Sequence, residues 1–348
     1  MEARQDNHRD EIIRKIKEGL SYRESPTELA EKLQKGDLAS LSQAITLIES
    51  TREDEFEAAA TLLRTILPLS GKSIRIGITG VPGAGKSTFI EAFGTFLIDR
   101  GLKVAVLAVD PSSEAGKGSI LGDKTRMTEL SANPNAFVRP SPSSGIHGGV
   151  ARRTRESIFL CEAAGFDIIL IETVGVGQSE TAVKSMVDVF LLIAIAGAGD
   201  ELQGIKRGIM EMADIVVVNK ADGDNLPRAK AARQDIQRSL HLFPALISGW
   251  TPTSLICSST EKIGLEEILE TINKWKSLTQ LSDYFNQQRH SQSNYWLQES
   301  IIERLKTEFF KSPEVHVEMV ELQKQIANQA ISVSEASARL IEIYKRST

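Results

Sequence analysis

The sequence predicts an α/β fold, a mainly parallel sheet with helices on both faces, preceded by a helical extension and followed by a helical arm. Three observations predict it. From residue 73 onward, short runs rich in Val, Ile and Leu alternate with helical stretches. These runs are almost continuously apolar, as strands buried on both faces must be. On either side of this region, apolar residues recur at three- and four-residue spacing, the period of amphipathic helices.

The predicted strands are "IRIGIT" (74–79), "VAVLAVD" (104–110), "DIILIE" (167–172), "DVFLLIA" (188–194), "DIVVVN" (214–219) and "SLICSS" (254–259). Ligands of an open parallel sheet lie beyond the carboxyl ends of its strands. Thr79, Asp110, Glu172 and Asn219 end four of these runs. Residues 8–68 read as helices, with "EIIRKIKEGL", "SLSQAITLIES" and "TLLRTILPL" as their apolar stripes. They form a polar-faced extension rather than a domain with a large core of its own. In the C-terminal part, Leu297, Ile301, Leu305 and Phe309 repeat every four residues, and "KSP" (311–313) interrupts the helix they mark. Met319, Leu322 and Ile326 mark a second helix, and "SVSE" (332–335) has capping-box spacing for a last short one. The expected division is 1–70, helical extension; 71–280, α/β domain; and 281–348, helical arm. The arm packs either on its own α/β domain or on another subunit, and periodicity does not separate the two.

Composition bounds the partners. Of 348 residues, 41% are hydrophobic and 25% charged, which is ordinary for a globular chain. The net charge of -5 and the 5% aromatic content supply no footprint for nucleic acid. The two cysteines, Cys161 and Cys257, are far apart and suggest neither a disulfide framework nor a zinc ribbon. The first residues are too polar for a signal peptide, and the longest apolar run, residues 189–199, is too short to span a bilayer. The expectation is a cytoplasmic chain with no membrane or nucleic-acid partner.

"GVPGAGKST" (80–88) satisfies G-x-x-x-x-G-K-[ST] between a strand and an amphipathic helix. Gly80, Gly83 and Gly85, with Val81, Pro82 and Ala84 between them, form a loop whose backbone N–H groups can face phosphate at a helix N-terminus. Lys86 then reaches the β- and γ-phosphates and the Ser87 hydroxyl binds Mg²⁺, with Thr88 also among the nucleotide-binding residues. "NKAD" (219–222) follows the strand "DIVVV". Asp222 there accepts from the guanine N1–H and 2-amino groups, a donor pair adenine lacks. Asn219 and Lys220 brace the loop and cover the base. "CSST" (257–260) suits the loop that offers a backbone N–H to the guanine oxygen, through Cys257, Ser258 and Ser259, with Cys257 a packing residue. These parts together favour GTP over ATP.

"DIILIETVG" has the layout of a Walker B strand but ends in Glu172 rather than Asp. Glu172 either holds a Mg²⁺-bound water or caps the following turn. Asp110 and Asp123 are direct or water-mediated metal ligands or solvated loop carboxylates. No glutamine directly follows Gly175, where Ras-like switches keep the residue that orients water; Gln178 comes three residues later. Intrinsic hydrolysis is therefore expected to be slow and completed by a partner or a moved loop.

Nearly the whole chain resembles the metallochaperone-type P-loop GTPases known as MeaB, and as MMAA in animals, formerly called ArgK or LAO/AO transport ATPase. The resemblance rests on "GVPGAGKST", "AVDPSS", "GDKTRM", "GGVARRT", "ETVGVGQSE", "GDELQGIKRG" and "NKAD". It implies a P-loop NTPase G domain with a C-terminal dimerisation arm, and hence a homodimer. It implies GTP/GDP as substrate and product, Mg²⁺ at Ser87, Asp110, Asp123 and Glu172, and catalysis through Lys86, Glu172 and Lys206. Residues 197–208 match the family's third switch, where Gln203 and Lys206 would link the nucleotide to a cobalamin-dependent acyl-CoA mutase, methylmalonyl-CoA mutase in the family. GTP hydrolysis would time adenosylcobalamin loading and help exclude or remove damaged cobalamin. His147 departs from the aliphatic residue expected in "SSGIHGGVARRT" and has no assigned role.

Three other readings compete. A nickel-type metallocentre-assembly GTPase would carry His-rich or Cys-Pro-Cys tracts, whereas the five histidines here are unclustered. An ATP-dependent kinase linked to amino-acid transport is disfavoured by "NKAD". A scaffold that only holds nucleotide does not need Lys86, Ser87 and Glu172 intact.

Overall fold

A computed structural model describes residues 24–50, 52–109, 127–140, 149–173, 179–196, 207–244 and 246–347. Two compact units emerge, Met1–Phe285 and Asn286–Thr348.

The first unit is built on a seven-stranded sheet. Its strands are β1 (Ile74–Gly80), β2 (Val104–Val109), β3 (Ala136–Arg139), β4 (Ile168–Thr173), β5 (Val189–Ile195), β6 (Ile215–Asn219) and β7 (Thr253–Ile256). Their order across the sheet is β3-β2-β4-β1-β5-β6-β7, and every pairing is parallel. The four central strands β4, β1, β5 and β6 are buried along almost their whole length, which explains their unbroken apolar composition. β1 sits between β4 and β5, with Ile78 opposite Glu172 and Gly80 opposite Ile193. The loop leaving β1 is therefore flanked by the carboxyl ends of both neighbours.

β3 departs from the sequence expectation of six strands. Its four residues lie at the sheet edge and end in a part-buried arginine, so it lacks the long apolar run that betrays a central strand. The last predicted strand is also shorter than expected. Cys257, Ser258 and Ser259 leave β7 for a turn closed by the Ser258–Ile263 bridge.

Three helices precede the sheet: α1 (Pro26–Gln34), α2 (Leu38–Glu49) and α3 (Phe56–Ile66). α1 starts with a capping box in which Ser25 and Glu28 satisfy each other's backbone N–H. Asp37 caps α2 through the N–H groups of Ala39 and Ser40. Leu33, Leu41, Ile45, Leu62 and Ile66 are fully buried, and the three helices pack on one another and on the helix at residues 149–163. That helix is linked to β1 by a buried ion pair. Glu162 accepts from Arg75 Nε at 2.9 Å and Nη2 at 3.0 Å, from Ser73 Oγ at 3.1 Å and from the Gly71 N–H at 2.7 Å.

The remaining helices that bear on the site follow in order. α4 (Lys86–Ile98) leaves the glycine loop, α5 (Thr128–Ala132) precedes β3, and α6 is Gly149–Ala163. α7 (Ser179–Lys184) follows β4, α8 (Arg207–Met212) follows β5, α9 (Leu226–Leu240) follows β6, and α10 (Leu265–Leu281) follows β7. Phe89, Phe93, Leu97, Ile268, Ile272 and Trp275 belong to the core cluster around β1, β4 and β5.

α11 (Tyr284–Lys311) carries the chain into the second unit, which continues with α12 (Pro313–Ala327) and α13 (Val333–Ser347). Ser312 caps α12 through the Val315 N–H and Pro313 occupies its first turn, so "KSP" ends one helix and starts the next. The Ser332 hydroxyl accepts from the Glu335 N–H at the start of α13. α13 is 15 residues long, a correction to the short helix expected, because its amphipathic pattern continues through Ile341 and Tyr344. Within this unit Val315, Leu322 and Ala336 are buried, whereas Leu297, Ile301 and Leu305 are 61, 49 and 54% exposed.

Candidate guanine-nucleotide site

The site is built where β1 gives way to α4. Gly83 and Gly85 have φ of 79° and 83°, in the left-handed region that side chains disfavour. Gly80 is fixed by proximity instead: a Cβ there would lie 2.3 Å from the Ile193 carbonyl oxygen. The Ala84 N–H closes a turn onto Val81 O at 3.1 Å, and the first bond of α4 runs from the Phe89 N–H to Gly85 O. The N–H groups of Lys86, Ser87 and Thr88 precede that bond. They gather at a helix N-terminus, the arrangement that favours a phosphate anion.

Lys86 is half-buried and its Nζ donates to Gly80 O at 2.8 Å. Burial holds its ammonium below the usual lysine range, opposed by the charges of Glu172 and then Glu180. The neighbouring Ser87 Oγ donates to Glu172 Oε1 at 3.1 Å. Glu172 is 7% exposed, on a strand that runs one residue further than expected, to Thr173. Thr173 Oγ1 in turn donates to Thr79 Oγ1 at 2.9 Å, joining the ends of β4 and β1.

These residues suit a magnesium ion on chemical grounds. A hydroxyl and a carboxylate are hard oxygen donors, and adjacent ligands of an octahedral Mg²⁺ with bonds of about 2.0–2.1 Å lie about 2.9 Å apart. The 3.1 Å between Ser87 Oγ and Glu172 Oε1 is close to that edge. Among the described residues no group of three or more His, Cys, Asp or Glu could hold a metal. A full protein cage is not what Mg²⁺ needs, because it keeps several waters and takes phosphate oxygens. Asp110 and Asp123 lie outside the described residues, as do His147, Gln178, Gln203 and Lys206.

The second half of the site ties three segments together through Asn219, the last residue of β6, which is 2% exposed. Asn219 Nδ2 donates to Ala84 O at 3.0 Å, and its Oδ1 accepts from Ser259 Oγ at 2.8 Å and the Ser259 N–H at 3.3 Å. One amide thus braces the glycine loop and the turn after β7. Lys220 follows with φ of 59°, and its stem lies over the glycine loop, 3.9 Å from where a Cβ on Gly85 would stand. Asp222 is half-buried and accepts from Ser258 Oγ at 2.6 Å and Thr260 Oγ1 at 3.3 Å. Both contacts fall on Oδ2, so Ser258 orients the carboxylate while Oδ1 makes neither bond. Sequence reasoning did not foresee Thr260 as a partner of Asp222, because hydroxyls two and four residues past a strand carry no pattern of their own.

The turn at 257–260 offers fewer backbone donors than the sequence suggests. The Cys257 N–H goes to Val218 O at 2.9 Å and the Ser258 N–H to Ile263 O at 3.0 Å. Ser259 keeps the loosely held N–H of the three, at 3.3 Å from Asn219. The Cys257 thiol is buried, which pushes it up to about 11 against a smaller opposing hydrogen bond from Ser259.

Comparison with known proteins agrees with this geometry. Residues 41–314 match the family model described as methylmalonyl Co-A mutase-associated GTPase MeaB. The chain is 50% identical to the GTPase ArgK of Escherichia coli, over 80% of this chain and 84% of that protein. It is 43% identical to the mitochondrial methylmalonic aciduria type A homolog of Mus musculus, over 94% of this chain and 82% of that one. A crystal structure of an LAO/AO transport system kinase superposes with a TM-score of 0.74 at 39% identity, over 92% of this chain and 98% of its own. With the glycine loop, the "NKAD" turn and the all-parallel sheet in place, the chain belongs to the MeaB family of P-loop GTPases.

Proposed function

We propose that this chain is a GTP-hydrolysing chaperone for a cobalamin-dependent acyl-CoA mutase, with methylmalonyl-CoA mutase as its client. It gates adenosylcobalamin loading and protects or reactivates the mutase, with hydrolysis as the timing signal. The observation that carries the nucleotide part of this reading is the Asn219 brace. It joins the phosphate loop, through Ala84, to the turn whose Ser258 orients Asp222. A base bound at Asp222 and a phosphate bound at residues 80–88 would then belong to one rigid frame.

In this reading the N–H groups at the start of α4 bind the phosphates, and Lys86 leaves Gly80 O for the β- and γ-phosphate oxygens. Ser87 and Glu172, with Asp110 and Asp123, are the residues that would hold Mg²⁺. Mg²⁺, when bound, offsets the negative charge that develops on the transferred phosphoryl group. Asp222 accepts the two guanine N–H groups, Lys220 covers the base, and the Ser259 N–H is the donor nearest to hand for the guanine oxygen. Gln203 and Lys206 carry the nucleotide state to the mutase, and Lys206 assists turnover.

The arm, residues 281–348, joins two copies. Leu297, Ile301 and Leu305 lie along one face of α11 and are about half exposed or more within their own unit, which supports this role.

Turnover and pull-down experiments test the reading. GTP binds more tightly than ATP, and Lys86→Ala abolishes turnover. The mutase raises kcat, which for the isolated chain stays below about 1 per second. Tighter ATP binding, or an affinity pull-down that recovers hydrogenase or urease proteins instead of a mutase, overturns it.

A further inference from the structure

A pair of buried threonines ties together the two strands that carry the phosphate end of the site. Thr79 and Thr173 are 1 and 0% exposed. Thr173 Oγ1 donates to Thr79 Oγ1 at 2.9 Å and lies 3.5 Å from the Ile78 carbonyl oxygen. Hydroxyls sealed from water are costly unless bonded, so each threonine depends on the other for its place.

The position of this bond in the sheet gives it a further use. The register of β1 on β4 runs from Ile74 opposite Ile168 to Ile78 opposite Glu172, and ends there. Thr79 and Thr173 are the next residues. From this level β4 follows β2, with Thr173 opposite Val109. β1 follows β5, with Thr79 opposite Leu192 and Gly80 opposite Ile193. The two strands part here, and the hydroxyl bond spans the point where they part. One residue before it on β4 is Glu172, and one residue after it on β1 is Gly80, which opens the phosphate loop.

Side chains alternate across a strand, so Glu172 and Thr173 point to opposite faces. Glu172 meets Ser87 of α4. Thr79 shares the other face with Gly77, where a Cβ would stand 2.8 Å from Phe190 Cδ2 and 3.0 Å from Val183 Cγ1 and Val187 Cγ2. The threonines are therefore turned away from Ser87 and act through the backbone. On its β5 side Gly80 lies so close to the Ile193 carbonyl that no Cβ would fit. On its β4 side the threonine bond supplies the matching restraint. The two together set the height of the loop relative to Glu172, and with it the 3.1 Å between Ser87 Oγ and Glu172 Oε1.

We propose that Thr79 and Thr173 are positioning residues for GTP hydrolysis. Their hydroxyl bond holds Glu172 level with the phosphate loop, so that Ser87 and Glu172 keep the spacing of adjacent Mg²⁺ ligands. The inference rests on the GTPase reading of the site.

The test uses the full chain and compares wild type with Thr173→Val, Thr173→Ser and the double variant Thr79→Val/Thr173→Val. Valine has nearly the shape of threonine without the hydroxyl. For each, the Mg²⁺ affinity of the GDP complex is titrated by calorimetry, GDP affinity is measured in EDTA, and kcat and the melting temperature are recorded. Thr173→Val is expected to weaken Mg²⁺ binding and lower kcat at limiting Mg²⁺ by about tenfold, while GDP affinity in EDTA changes by less than about threefold. Its melting temperature falls as well, because the Thr79 hydroxyl is left buried without its partner. Thr173→Ser should stay near wild type. The double variant leaves no such hydroxyl, so its melting temperature should return toward wild type while the Mg²⁺ defect remains. Wild-type Mg²⁺ affinity in Thr173→Val overturns the proposal. So does a Thr173→Ser variant no better than Thr173→Val, or a Mg²⁺ defect that disappears in the double variant together with the loss of stability, which marks a merely structural role. Should Thr173→Val not fold, Thr173→Ser and the double variant decide alone. Equal turnover by wild type and Lys86→Ala would instead sink the GTPase reading, and this inference with it.

Discussion

Single residues in this chain act by placing charge or hydrogen bonds at the ends of strands. Asp222 illustrates it: Ser258 and Thr260 hold Oδ2, which commits the carboxylate to one orientation. In the proposed reading, replacing it with alanine would remove two charge-assisted hydrogen bonds to guanine, each worth about 1.5–3 kcal/mol. Asp222→Ala should therefore weaken GTP binding by about 100-fold or more while leaving ATP binding nearly unchanged, as read by titration calorimetry. Equal losses for both nucleotides would show that Asp222 does not read the base. Cys257 gives a second prediction at this scale. Its folded-state value, up to about 11, lies above the roughly 8.5 of an unfolded thiol. Its contribution to stability is thus present below about pH 8.5 and is lost as pH rises through about 11. Iodoacetamide at pH 8 should leave Cys257 and the fully buried Cys161 unmodified in the native chain and label both in urea. Rapid native labelling would contradict the burial. That Asp222, Asn219 and Lys86 lie at strand ends beside the glycine loop was legible as spacing, from "NKAD" and "GAGKS". The partners Ser258 and Thr260 were not, because a hydroxyl orients a carboxylate only after two loops have met.

Elements are joined here by buried polar contacts where apolar packing alone would leave their relative height undefined. The Arg75–Glu162 pair fastens α6, and the helices that pack on it, to the central strand β1. The Arg75 and Glu162 side chains are 8 and 0% exposed, so removing one partner strands a charge. Glu162→Ala should destabilise the folded chain by about 3–5 kcal/mol, seen as a lower urea midpoint with an unchanged slope. A loss under about 1 kcal/mol would mean that water reaches Arg75 and the pair does not fasten α6. The alternation of apolar runs and helices made six of the seven strands readable. β3 escaped because an edge strand of four residues needs no continuous apolar run. The shortened β7 escaped because "CSS" reads as strand by composition, while the Ser258–Ile263 bridge turns it away. Gly77 is a similar case. A glycine inside "IRIGITG" signals close approach of something, and only the packed structure identifies it as Val183, Val187 and Phe190.

At the scale of the whole molecule, the exposed apolar face of α11 bears on assembly. Leu297, Ile301 and Leu305 repeat every four residues on α11 and remain about half exposed within their own unit. If two copies join through this face, light scattering should give twice the 38.2 kDa chain mass, and Ile301→Asp with Leu305→Asp should give the monomer. A wild type that runs as a monomer at tens of micromolar would end the dimer proposal. Among the described residues no helix is long and apolar enough to cross a membrane.

The sequence by itself determined the fold class, the phosphate loop and the preference for guanine. Each depends on local order: a strand before "GVPGAGKST", a helix after it, and "NKAD" at the end of another strand. Periodicity and backbone chemistry act over a few residues, so such features survive in a linear reading. The tertiary structure decided which side chains hold those motifs in place. Asn219 meets Ala84 across 135 residues, Glu162 meets Arg75 across 87, and Ser87 meets Glu172 across 85. Contacts of that range depend on the order of strands in the sheet and on where a glycine lets a helix come close. Neither is written in any one stretch of the chain.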